Sequence, residues 1–180
     1  LNLLRKFVID GNSKNIELAL HSNAMLIDDD VIDLMNNFKL QRHSFSIDGV
    51  DTTYDYIRHK ANFETLEKNI KKWFSQSTNV YTVNINFVLS ALNIGNVVDF
   101  LEWTILMFHN KVRCNVFISE VRPHKRGIDM INLPKTYLEK IRENVINFRD
   151  EFEKFRTKEF NNMHSKGFFH YEIDKLLSLI

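Results

Sequence analysis

The chain has 180 residues, 44% of them hydrophobic, which suits one domain with a sizeable core and would crowd two. Lys and Arg total 24 against 23 acidic residues, and the resulting net charge of +1 gives no electrostatic reason for a nucleic-acid or anionic-membrane partner. No apolar run approaches the roughly 18 residues of a membrane span, and the single cysteine, Cys114, excludes both an intramolecular disulfide framework and a cysteine-ligated metal cluster built from this chain alone.

In chain order, Leu1, Leu4, Phe7 and Val8 predict an amphipathic helix rather than a signal peptide, so the sequence reads as a piece whose beginning is missing. The lone cysteine fits a reducing, cytosolic setting. With 5 Gly and 2 Pro there is no flexible linker. Strand patterns at about 15–21, 41–48, 80–89 and 112–121 are each followed by a helical pattern, the spacing of βα repeats.

The helices carry their own signals. Asp28 is placed to cap a helix bearing Val31, Leu34, Met35 and Phe38, and Asn62 one bearing Phe63, Leu66, Ile70 and Trp73. Asn96 opens a third with Val97, Phe100, Leu101, Thr104, Ile105 and Phe108 inward. Pro134 suits the first turn of a long fourth, whose stripe runs through Tyr137, Leu138, Ile141, Val145, Phe148, Phe152 and Phe155 to about Asn161. A short amphipathic segment with Phe168, Phe169, Ile173, Leu176 and Leu177 follows Gly167. The alternation predicts an α/β fold on a parallel sheet.

The strands alternate where fully covered parallel strands read as apolar runs. Phe45 and Ile47 oppose Ser44, Ser46 and Asp48; Tyr81, Val83, Ile85, Phe87 and Leu89 oppose Thr82, Asn84, Asn86, Val88 and Ser90. Leaving such groups unpaired in a dry core costs about 1 to 3 kcal/mol each, so the polar face is expected to border water or a ligand. A barrel segment with a wet interior and an open sheet with one solvated face both satisfy this. The second strand stops at Gly49 and leads through a polar turn to Arg58. Polar side chains at strand C-terminal ends commonly serve a site.

Ser46-Ile-Asp48-Gly49, the following Tyr56-Ile57-Arg58, and Phe63 to Ile70 in a helix resemble the middle of radical S-adenosylmethionine enzymes, especially the branch with SPASM or twitch extensions. His21-Ser22-Asn23-Ala24 stands where that family has Thr-Asn-Gly, with Ala24 in place of a glycine. Ser90-Ala-Leu-Asn93, and Val121-Arg-Pro123 followed by Ile128 and Ile131 to Pro134, continue the similarity in order over about residues 1–150. The resemblance implies strands three to six of a six-stranded partial (β/α) TIM-like barrel, with 151–180 a C-terminal helical extension.

It implies S-adenosylmethionine as cofactor and a [4Fe-4S] cluster whose CxxxCxxC segment would precede Leu1. It also implies an external electron donor and a substrate for which a peptide is the family's common choice. This piece alone would be inactive. By resemblance, Ser46 binds the carboxylate or ribose of S-adenosylmethionine, or is a serine bonded within the protein. Arg58 pairs with the methionine carboxylate through its planar fork, or with Asp55 or Asp51 at the surface.

Asp48 suits ribose hydroxyls or an ordinary Asp-Gly turn. Ser90 and Asn93 line the adenosine site, or Asn93 caps the next helix. Asn23 contributes at the end of its strand, and Asn84 and Asn86 face the same way by parity. His164 and His170 lack zinc spacing, Cys114 reads as a small buried hydrophobe, and Lys68, Lys71 and Lys72 as a solvated face. A rival reading is a non-catalytic α/β binding or interaction module.

Overall fold

The computed structural model describes residues 1–108, 111–121, 128–159 and 168–180. Arg122, Pro123, His164 and Gly167 lie outside the described residues, as do the side chains of Phe155, Phe168, Phe169 and His170. Strands β1 (Glu17–Ser22), β2 (Leu40–Ser46), β3 (Val80–Leu89) and β4 (Arg113–Glu120) form one sheet, all parallel, in the order β1-β2-β3-β4. Each strand therefore neighbours the next in sequence. The crossovers carry α2 (Asp29–Met35), α3 (Asp51–Ile57), α4 (Phe63–Gln76) and α5 (Val97–Phe108). Helix α1 (Asn2–Ile9) precedes the sheet, and α6 (Lys135–Glu159) and α7 (Phe168–Leu179) follow it.

Two of the predicted helix openings are capped by side chains, whereas Asn96, expected to open the third helix, ends a short 3-10 turn (Ile94–Asn96) and its Oδ1 accepts from the Val50 N–H at 2.7 Å. Asp28 accepts from the Val31 N–H at 2.8 Å and Asn62 from the Thr65 N–H at 2.9 Å, each satisfying an amide that the first helical turn leaves without a partner. Pro134 sits just ahead of α6 instead of inside its first turn, its carbonyl accepting from Tyr137 and Leu138.

Among the described residues, α4, α5 and α6 pack on one and the same face of the sheet. Phe45 on β2 packs edge-on to Trp73 of α4, and Phe87 on β3 lies 4.4 Å from Phe100 of α5, centroid to centroid. Val83, Ile85, Leu89, Val116 and Ile118 complete that face, all buried in a single core that also takes Ile141, Val145 and Phe148 of α6. Burying each such side chain contributes about 1.5 to 3 kcal/mol, so this face holds the chain together.

The chain between Gly49 and Arg58, expected as a polar turn, is the helix α3. One fully buried side chain, Tyr54, anchors it, and seven residues with one inward position leave no periodicity to read. Gly49 makes the entry possible: its φ is +150°, and a Cβ there would stand 3.0 Å from both Asn96 Oδ1 and Thr53 Cγ2.

Side chains hold a turn after β1 and the outer edge of β4. Ala24, standing for a glycine, does take the left-handed conformation, at φ +56°. Asn69 of α4 offsets that strain by donating to the carbonyls of Ala24 and Met25 at 2.9 and 3.1 Å. At the opposite edge, α7 lies along β4, where Glu172 accepts from the Ile118 N–H at 2.8 Å and Lys175 donates to the Ile118 carbonyl. Those side chains satisfy main-chain groups that an edge strand leaves open.

Candidate functional site

β3 outruns β2. The last β2 residue, Ser46, pairs with Asn86, so Val88 has no β2 residue opposite it, and side chains take over. Asp48 Oδ1 accepts from the Val88 N–H at 2.8 Å, and Asn93 Nδ2 donates to the Val88 carbonyl at 2.8 Å and to the Asp48 carbonyl at 2.9 Å. Asn93 Oδ1 accepts from the Ser90 N–H at 2.8 Å and from its hydroxyl at 3.2 Å. Four hydrogen bonds thus use both donors and both lone pairs of one buried amide.

Arg58 joins this knot. Its guanidinium reaches the second Asp48 oxygen at 2.5 Å, not Asp51 or Asp55. The helix explains the difference. Asp51 is two turns back along α3, Asp55 accepts from the Phe63 N–H at 2.6 Å, and Arg58, at the helix end, is turned over the strand terminus. The Arg58 Nε and the Tyr54 hydroxyl, one turn apart, are buried without a protein partner. Burial, foremost, raises the Tyr54 hydroxyl above its ordinary range, so it stays a neutral donor.

The uncovered face of the sheet is polar and partly self-satisfied. Asn115 donates to Asn84 Oδ1 at 2.9 Å and Asn84 to Ser44 Oγ at 3.3 Å, a ladder across three strands that explains how Ser44 can be buried there. One step toward the C-terminal end, Ser46 and Asn86 stand side by side in register, both half-buried and neither with a side-chain hydrogen bond in the protein. Phe117, next in register on β4, leaves 40% of its surface exposed on the same face. His21, Val88 and Ser119 are exposed there too.

The sequence-predicted residues therefore divide. Ser46, Asp48, Arg58, Ser90 and Asn93 gather at the ends of β2 and β3, and Ser46 keeps its hydroxyl free. Ser90 and Asn93 are turned to each other. Asn93 makes no helix-capping side-chain bond, so the capping expectation is replaced by a cross-strand role. Asn23 is exposed, its Oδ1 accepting from the Met25 N–H at 3.2 Å in a local turn.

Two groups of consequence carried no sequence signal. His43, on the helix-covered face of β2, packs against Trp73 with ring centroids 3.9 Å apart and the rings tilted by 52°, and meets Gln41 Oε1 at 2.9 Å; burial pushes its pKa down to about 4. Gln41 is itself enclosed, donating to Asn79, which donates to the Phe38 carbonyl. Cys114 packs against the core as expected, and burial pushes its thiol up to about 12, far from a reactive thiolate.

Among the described residues no group of three His, Cys, Asp or Glu is placed to hold a metal ion, and no helix is long and apolar enough to cross a membrane. No protein-family model matches the chain, and no curated protein matches it.

Proposed function

We propose that the chain is the cofactor-gripping part of a radical S-adenosylmethionine enzyme, its four strands being strands three to six of a partial barrel. The observation that carries this reading is the free pair Ser46 and Asn86 at the C-terminal end of the uncovered sheet face. A hydroxyl and an amide with no partner in the protein are suited to the ribose and carboxylate of S-adenosylmethionine. Sheet order supports a barrel as well: β1 is an edge strand, where further parallel strands would add.

The residues fit the cofactor in part. Arg58 is already paired with Asp48, so it would reach a carboxylate only with donors left over from that pair, or would act by orienting Asp48. For the iron–sulfur cluster the described residues do not fit, because the lone thiol is buried and protonated. When bound, such a cluster would supply the electron that cleaves S-adenosylmethionine to a 5'-deoxyadenosyl radical, and its ligands would come from outside these residues. An external electron donor and a peptide substrate belong to the same proposal, as does a reducing compartment.

Titration of S-adenosylmethionine into the chain by calorimetry tests the reading. Binding is expected, and Ser46→Ala is expected to weaken it about tenfold, the worth of one or two hydrogen bonds to a charged or polar group. Equal binding by Ser46→Ala would remove Ser46 from the site.

A second reading, a non-catalytic α/β module, draws on the inward commitment of Asp48, Ser90 and Asn93, which are spent on holding strand ends together. Such a module would leave S-adenosylmethionine unbound while folding normally.

A further inference from the structure

On the helical side, away from the uncovered sheet face, α3, α4 and α5 enclose an open cleft of about 630 Å³. Its apolar floor is Val50, Phe63, Trp103 and Leu106, and Leu106 leaves 79% of its surface exposed. Val50 and Phe63 are buried beneath, so the accessible apolar surface of the cleft is that of Trp103 and the exposed Leu106, which a partner's apolar side chain would cover. The rim then chooses the occupant. Six carboxylates line it, Asp51, Asp55, Glu64, Glu67, Asp99 and Glu102, and no Lys, Arg or His among the described residues does.

Within the protein one of the six meets a cation, Glu67 with Lys71 at 2.6 Å. Glu67 also accepts from Trp103 Nε1 at 3.0 Å, which fixes the indole at the groove wall. Asp55 and Asp99 have neutral partners, Phe63 N–H and Asn96 Nδ2, and Asp51, Glu64 and Glu102 have no side-chain partner. Because the whole chain carries a net charge of +1, five carboxylates without a cation partner among the described residues, beside a sixth paired with Lys71, are a local feature and not the average surface.

We infer that this cleft docks a segment of a partner protein that presents lysine or arginine on both sides of an apolar side chain. The apolar side chain covers Trp103 and Leu106 while the flanking cations meet the rim. A polyamine or a metal ion would leave that floor exposed, so charge complementarity and the apolar floor together select a polypeptide. The inference is independent of the cofactor reading, since none of its residues lies on the uncovered sheet face.

The probe is a 14-residue amidated peptide of Lys and Leu at helical spacing, titrated by calorimetry into the chain. Binding is expected, with about tenfold loss in the Glu64→Gln, Glu102→Gln double variant and under about twofold in the Asp30→Asn, Asp33→Asn double variant on α2, which removes equal charge elsewhere. A peptide with Ser for Leu is expected to bind at least about tenfold more weakly. Equal weakening by the two double variants, equal binding of the Ser peptide, or no binding of the Lys and Leu peptide would each overturn the inference.

Discussion

Replacing Asn93 with alanine is expected to destabilise the chain by about 3 to 5 kcal/mol, read as a shift of the urea midpoint at unchanged slope. The side chain is 1% exposed and makes four hydrogen bonds, to the carbonyls of Asp48 and Val88 and from the N–H and hydroxyl of Ser90. Alanine leaves two buried carbonyls and one N–H short of a partner, each costing about 1 to 3 kcal/mol, with relaxation offsetting part of the sum. Asn93→Asp separates this role from helix capping. Aspartate caps a helix as well as asparagine does, yet here it sets a carboxylate oxygen against two carbonyls. A loss at least as large as that of the alanine variant is expected, and a tolerated Asp would return Asn93 to the capping role.

Acidification from pH 6.5 to 4 is expected to remove about 3 kcal/mol of stability through His43 alone, the product of a shift from 6.5 to about 4 and about 1.36 kcal/mol per unit. The folded-state pKa is lowered, and burial is the cause. In the unfolded chain His43 takes up a proton as pH falls through 6.5, whereas the folded chain resists until about 4. Between those values the unfolded state binds more protons, so stability falls as pH falls, while above 6.5 the group contributes nothing further. His43→Gln removes the titration. The stability difference between the parent and this variant is expected to narrow by about 3 kcal/mol across the window when urea midpoints are compared at each pH. Parallel curves would mean that the ring is solvated, contrary to its close packing against Trp73.

Local chemistry made much of the fold legible. Period-two alternation in β2 and β3 placed both strands to within about two residues and separated the face that packs on Trp73 and Phe100 from the face that carries Ser46 and Asn86. Asp28 and Asn62 announced their helices because a cap is a contact within four residues. What depends on distant partners was not legible. Nothing near Asn93 says that β3 will outrun β2 and leave Val88 unpaired, and nothing near Glu172 says that it will lie against Ile118 of an edge strand.

The candidate site divides on the same line. Asp48 and Arg58 meet at the end of β2, but that pairing could not be read from sequence, because α3 was hidden behind its single buried position, Tyr54. Asn86 was visible only as a polar residue of the right parity. Its free amide became meaningful beside Ser46, once the neighbouring ladder of Ser44, Asn84 and Asn115 was seen to be satisfied.

The central claim is that the uncovered polar face at the ends of β2 and β3 is the functional face, and amide chemical-shift mapping tests it most directly. With S-adenosylmethionine added to the isotope-labelled chain, the largest shifts are expected at Ser46 to Val50, Asn86 to Ser90 and Phe117, with residues of α4 and α5 on the helical side unmoved. Shifts gathered on the helical side, or no shifts at millimolar cofactor, would contradict the account.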